Sequence, residues 1–81
     1  MNDVELSEFL DTLYEELGGI SSPYANDFQY VIGGCHCIPQ TEWYGDIFLA
    51  LKKVLSEKAI SNKEMVEKAE CIVKHFSKWF S

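Results

Sequence analysis

Arginine is absent from these 81 residues, and residues 1–51 lack lysine as well. Guanidinium groups read guanine in the major groove and grip phosphate with two parallel hydrogen bonds, so direct nucleic-acid recognition is not expected. No run of eighteen apolar residues occurs, which leaves no candidate for a membrane-spanning helix. The start is acidic and amphipathic, not basic and then apolar as a secretory signal is. Tandem repeats, low-complexity tracts and linkers are missing too. So are a phosphate-binding glycine loop, a nucleophile elbow, a metalloprotease helix signature and a carboxylate pair for acid–base work, and no enzymatic activity is expected. These absences predict a cytoplasmic protein that is not an enzyme and touches neither nucleic acid nor membrane directly.

What is present has room for a single domain, residues 1–81, of a size that buries only about 60% of its unfolded surface. Eleven aromatic residues can build a core without a metal or a disulfide. The three cysteines, Cys35, Cys37 and Cys71, are an odd number with no secretory context, and reduced thiols are expected.

Charge is divided along the chain. Residues 1–51 carry nine Asp or Glu and no cation, whereas residues 52–81 carry seven Lys against four Glu, and together they make the net charge of −6. A basic protein surface is therefore a better partner than a nucleic acid.

Apolar periodicity predicts the elements. Leu6, Phe9, Leu10, Leu13, Tyr14 and Leu17 recur at steps of three and four, so a helix is expected over 4–17, with Asn2 or Asp3 as N-cap and Gly18 as the C′ residue. The stretch SPYANDFQYVIGG has two readings. As a helix, Ser22 caps it, Pro23 takes the first position, Tyr24, Phe28, Val31 and Ile32 share a face, and Gly33 ends it. As a strand, Phe28, Tyr30 and Ile32 alternate with Gln29 and Val31. The helix accounts for both the proline and the glycine. A third helix is expected from a Thr41 cap to about residue 57, with Trp43, Tyr44, Ile47, Phe48, Leu51, Val54 and Leu55 inward and Gly45 weakening its first turns. Ser61 and Glu64 have capping-box spacing before a last helix whose stripe is Met65, Val66, Ala69, Ile72, Val73, Phe76, Trp79 and Phe80. The fold expected is all-α, a small four-helix bundle; the alternative is α+β, three helices with a hairpin at 28–38.

The first helix is the most informative. Glu5, Glu8, Asp11, Glu15 and Glu16 lie opposite its apolar stripe, and neighbours at three or four residues repel by a few tenths of a kcal/mol each. Glu15 and Glu16 also stand where the helix macrodipole favours cations. The last helix is arranged the other way, with Glu64/Lys68 and Glu70/Lys74 as acid-first pairs and Lys74, His75 and Lys78 near its end. Carboxylates that weaken their own helix point to a basic partner whose approach they steer; the simpler account is a solvated face that keeps a small protein soluble. Leu49, directed outward beside Glu42, Asp46 and Lys53, adds an apolar residue rimmed by charge. Tyr24, Tyr30 and Tyr44 are candidate aromatic anchors.

Cys71 and His75, four apart on a helix, together with Cys35 and Cys37 from a Gly-led loop, form a conceivable tetrahedral zinc set. Ordinary packed or exposed thiols explain them more simply, so no cofactor is expected and zinc is the one candidate. A cysteine nucleophile served by His36 would also need attack geometry and an oxyanion hole, for which the sequence offers no sign.

The function expected is that of a small acidic inhibitor that binds a protein. An immunity protein or antitoxin against a basic nuclease toxin, or a phage-type inhibitor of a nucleic-acid-binding protein, would act in this way, by occluding a basic site. The partner-binding residues would be Glu5, Glu8, Asp11, Glu15, Glu16, Asp27, Glu42, Asp46 and Leu49. The alternatives are a zinc-stabilised helical module and a structural or regulatory helical interaction domain.

Overall fold

The apolar stripes meet in one core. In the computed structural model, which describes residues 3–29, 31–32 and 40–80, the chain forms α1 (Asp3–Glu16), α2 (Ala25–Phe28), α3 (Gln40–Ser56) and α4 (Lys63–Phe80), with a short 3-10 turn at Gly19–Ser21. It is a small all-α helical bundle with no strand among the described residues. The Cα radius of gyration is 11.5 Å, matching the roughly 11.7 Å of a well-packed chain of this length.

The α1 stripe buries Leu6, Phe9, Leu10 and Leu13, and Tyr14 and Leu17 pack at its edge. Gly18 terminates the helix as expected: at φ 113° it occupies a left-handed conformation, and its N–H bonds the Glu15 carbonyl at 3.1 Å. Asn2, the alternative N-cap, lies outside the described residues.

The second helix is much shorter than the sequence suggests. Ser22 Oγ accepts the Tyr24 N–H at 3.0 Å, but the N-cap of the helix is Tyr24, not Ser22, and only Ala25–Phe28 is α-helical. Beyond it the Val31 N–H turns back to the Phe28 carbonyl at 2.9 Å. The Trp43 indole N–H then takes the Val31 carbonyl at 3.0 Å, so a contact from α3 satisfies a group that further helix would have used. Phe28 and Val31 are both fully buried, which fixes the segment by tertiary packing in place of helix propagation. Residues 28, 29, 31 and 32 are helical or turn, not extended. Tyr30 and residues 33–38, the rest of the hairpin alternative, lie outside the described residues.

Helices α3 and α4 form an antiparallel pair joined by residues 57–62. Ile47, Leu51 and Val54 of α3 and Ala69 of α4 are fully buried between the elements. The turn after α3 is a Schellman motif: the Ala59 N–H reaches the Val54 carbonyl at 2.9 Å and the Lys58 N–H reaches Leu55 at 3.2 Å. Lys58 holds the left-handed position, φ 54°, where glycine is usual. The cap of α4 corrects the expectation from the sequence. Asn62, not Ser61, accepts the N–H groups of Glu64 and Met65, at 2.9 and 3.3 Å. The α4 stripe is buried at Ala69, Ile72 and Phe76, but Trp79, expected inside, is 59% exposed.

These turns give a direct stability test. Asn62→Ala is expected to cost about 1 kcal/mol in denaturant unfolding, while Ser61→Ala should stay within about 0.5 kcal/mol of wild type. Lys58→Gly should gain up to about 1 kcal/mol by relieving the left-handed backbone.

Candidate functional site

All five α1 carboxylates expected at a binding face are exposed: Glu5, Glu8, Asp11, Glu15 and Glu16. Val4, Glu8, Asp11 and Glu15 follow one another at four, three and four residues, which aligns them as an outward ridge opposite Leu6, Leu10 and Leu13. No basic residue occupies the last turn of α1. Glu8, Glu15 and Glu16 make no ion pair among the described residues.

Among the described residues, no lysine of α4 forms an ion pair with Glu8 or Glu15 of this ridge. Lys68 lines an open groove of about 420 Å³ together with Glu5, Glu8, Phe9, Thr12, Glu64 and Met65. Its Nζ stands 5.6 Å from the centre of the Phe9 ring, a cation–π arrangement. The expected Glu64/Lys68 and Glu70/Lys74 pairs do not close to ion-pair distance among the described residues, in keeping with the small gain such surface pairs offer.

Asp27 is engaged inside the molecule. Its Oδ2 accepts Lys53 Nζ at 3.1 Å, and the same ammonium stands 5.9 Å from the centre of the Tyr24 ring. The Tyr24 hydroxyl donates to Glu57 Oε1 at 2.6 Å, so Asp27, Lys53, Tyr24 and Glu57 clamp α2 to α3. Glu42 and Leu49 are exposed and Asp46 is half-exposed on α3, on the side opposite Ile47, Leu51 and Val54. Leu49, 65% exposed, does point outward as expected. None of these three lines either groove beside α1, so the expected site divides into an α1 ridge and a separate α3 surface.

A second groove was not foreseen. Asp3 and Leu6 of α1, Tyr44 of α3, and Cys71, His75 and Trp79 of α4 surround about 200 Å³ at the end of the bundle. Tyr44 stacks on Phe76 at 5.0 Å between ring centres, and Trp79 stands 5.9 Å from Tyr44 and 5.7 Å from His75. The Tyr44 hydroxyl donates to Asp3 Oδ1 at 2.7 Å. Of the three tyrosines proposed as anchors, Tyr44 lines this groove, Tyr24 belongs to the clamp and Tyr30 lies outside the described residues. The sequence had singled out Tyr44 as an anchor and Cys71 and His75 as a pair on one helix, but nothing in it joined them to Asp3 and Trp79.

Cys71 and His75 share that groove, and both are exposed. No group of three or more His, Cys, Asp or Glu that could hold a metal occurs among the described residues. Cys35 and Cys37, the other half of the proposed zinc set, lie outside them, as does His36. No helix among the described residues is long and apolar enough to cross a membrane.

Comparison of the chain with protein-family models, curated proteins and solved structures finds no match in any of the three. The fold and the two faces along α1 therefore carry the functional argument.

One titration tests the α2–α3 clamp. The hydrogen bond to Glu57, then partial burial, then the charges of Glu57 and Asp27 raise the Tyr24 hydroxyl above its ordinary value of 10.0. A raised value means the folded state holds the proton more tightly, so this stabilisation is present below pH 10 and is lost as pH climbs through the raised value. Glu57→Gln should bring the transition back down, read from the Tyr24 ring-carbon shifts against pH. An unchanged transition would remove Glu57 as the cause.

Proposed function

We propose that this chain is a small acidic protein-binding inhibitor whose α1 ridge docks on a basic protein. An immunity protein or antitoxin facing a basic nuclease toxin, or a phage-type inhibitor seated in a nucleic-acid-binding groove, fits this description. The observation that carries the reading is the exposure of Glu8, Asp11 and Glu15 on one face, on a helix without a cation in its last turn. Successive members sit about 5–6 Å apart between Cβ atoms, inside the roughly 8 Å screening length of physiological salt. They therefore repel one another in the free chain and act together on an approaching cationic surface. Association is accelerated by such a field, while occlusion of the partner's basic site follows from contact. Glu5 and Glu16, also exposed, widen the face, whereas Asp27 contributes through the clamp. Glu42, Asp46 and Leu49 provide a second contact surface if the partner is large enough to reach α3. The exposed thiol of Cys71 suits a reducing, cytoplasmic setting.

The test uses wild type and the triple variant E8K/D11K/E15K as paired baits in lysate of the source cells, followed by stopped-flow kinetics with the captured partner. The expected partner has a strongly basic surface, is retained by wild type alone, and associates at least about tenfold more slowly with the variant at low salt. Equal retention and equal association rates for the two baits would overturn the proposal.

A further inference from the structure

Cys71 and His75 are two metal donors on one row of α4 that the fold leaves unused, and we infer that they form a bidentate site for zinc. The inference stands apart from the acidic-inhibitor reading and does not call on Cys35 or Cys37. Both side chains are exposed and line the same groove of about 200 Å³, several times the ~30 Å³ that one water occupies. Neither makes a hydrogen bond or an ion pair with a described residue. Four positions apart within Lys63–Phe80, they stand about 5–6 Å from each other between Cβ atoms. Helical side chains lean toward the N-terminus, so the His75 imidazole covers the turn that carries Cys71, and the Trp79 indole covers the turn that carries His75. The 5.7 Å between the ring centres of His75 and Trp79 fits that arrangement. On the inner side of the same turns Ile72 and Phe76 are buried, which holds the row in place.

The donor types select the metal. Zinc binds thiolate sulfur at about 2.3 Å and imidazole nitrogen at about 2.0–2.1 Å, and a tetrahedral angle then sets the two donors roughly 3.5 Å apart. Side chains whose Cβ atoms are one helical turn apart reach that spacing by turning toward each other. Magnesium and calcium require oxygen ligands and gain nothing from this pair. On binding, the Cys71 thiol gives its proton to solvent and the sulfur–zinc bond forms, while the imidazole coordinates as the neutral ring. Two protein donors leave two tetrahedral positions for water, so the site is open and its metal exchangeable. Asp3 is not a ligand: its carboxylate is taken up within the fold, where the Tyr44 hydroxyl donates to Oδ1 at 2.7 Å. No set of three donors converges among the described residues, which is why the pair acts alone.

The full chain, reduced and labelled with nitrogen-15, is titrated with zinc chloride, and with magnesium chloride as the comparison. The two tryptophans give an internal control, because the Trp43 indole donates to Val31 inside the core at 3.0 Å whereas Trp79 stands beside His75. With zinc the Trp79 indole signal is expected to move saturably and the Trp43 signal to stay; with magnesium neither should move. Cys71→Ser and His75→Ala, both at exposed positions, should each weaken zinc binding at least about tenfold. The double variant C35S/C37S should bind within about twofold of wild type, which separates the helix pair from the loop thiols. Cobalt(II), in place of zinc, should give a thiolate charge-transfer band that Cys71→Ser abolishes in either background. A Trp79 signal that zinc leaves stationary, undiminished binding by Cys71→Ser or His75→Ala, or loss of binding in C35S/C37S would overturn the assignment.

Discussion

Helix α1 is held to the bundle by its apolar stripe, and the rest of the molecular design follows from that. Leu6, Phe9, Leu10 and Leu13 are all at least nine-tenths buried. Burying a side chain of this size contributes about 1.5–3 kcal/mol, against a few tenths for each like-charge neighbour pair on the opposite face. Even when reduced for residual structure in the unfolded chain, the apolar term exceeds the repulsion several-fold. A helix anchored so firmly tolerates a polar face arranged against its own stability. That freedom allows the outer face to serve something other than folding.

Three cations of the second half, Lys52, Lys53 and Lys68, are used elsewhere. Lys53 joins Asp27 beneath the Tyr24 ring, where it ties the single turn of α2 to α3. Lys68 approaches α1 but stands over Phe9, and Lys52 stands over Phe48 at 5.3 Å. Their aliphatic stems cover apolar surface while their charge meets an aromatic ring. The division of charge along the sequence thus persists in space as an acidic ridge on α1, and Asp3 carries the same sign into the aromatic groove at the end of the bundle.

The long helices were legible because their period is sustained: the stripes of α1, α3 and α4 each span three turns or more, and Gly18 marks a stop that only a left-handed residue makes easily. Where the sequence misled, two local solutions were chemically close or a distant residue intervened. Ser61 and Asn62 are adjacent and both suit an N-cap; the spacing to Glu64 favoured the serine, yet the amide of Asn62 reaches two N–H groups. The length of α2 depended on Trp43 capturing the Val31 carbonyl, a contact across twelve positions that no periodicity encodes. The outward direction of the α1 carboxylates followed from helical geometry. The groove did not, because Asp3, Tyr44 and Trp79 meet only through the packing of three helices.

The central claim is that the carboxylates at the end of α1 are electrostatically unsatisfied within this molecule. Thermal melting of the double variant Glu15→Lys with Glu16→Lys, at low and at about 1 M salt, addresses it most directly. Relief of repulsion and of the unfavourable macrodipole should stabilise the variant by about 0.5–1 kcal/mol, raising its midpoint at low salt by roughly 2–8 °C, with most of the gain lost at high salt. A variant that melts at or below the wild-type temperature in low salt would show that Glu15 and Glu16 are already satisfied at home, and would contradict the account.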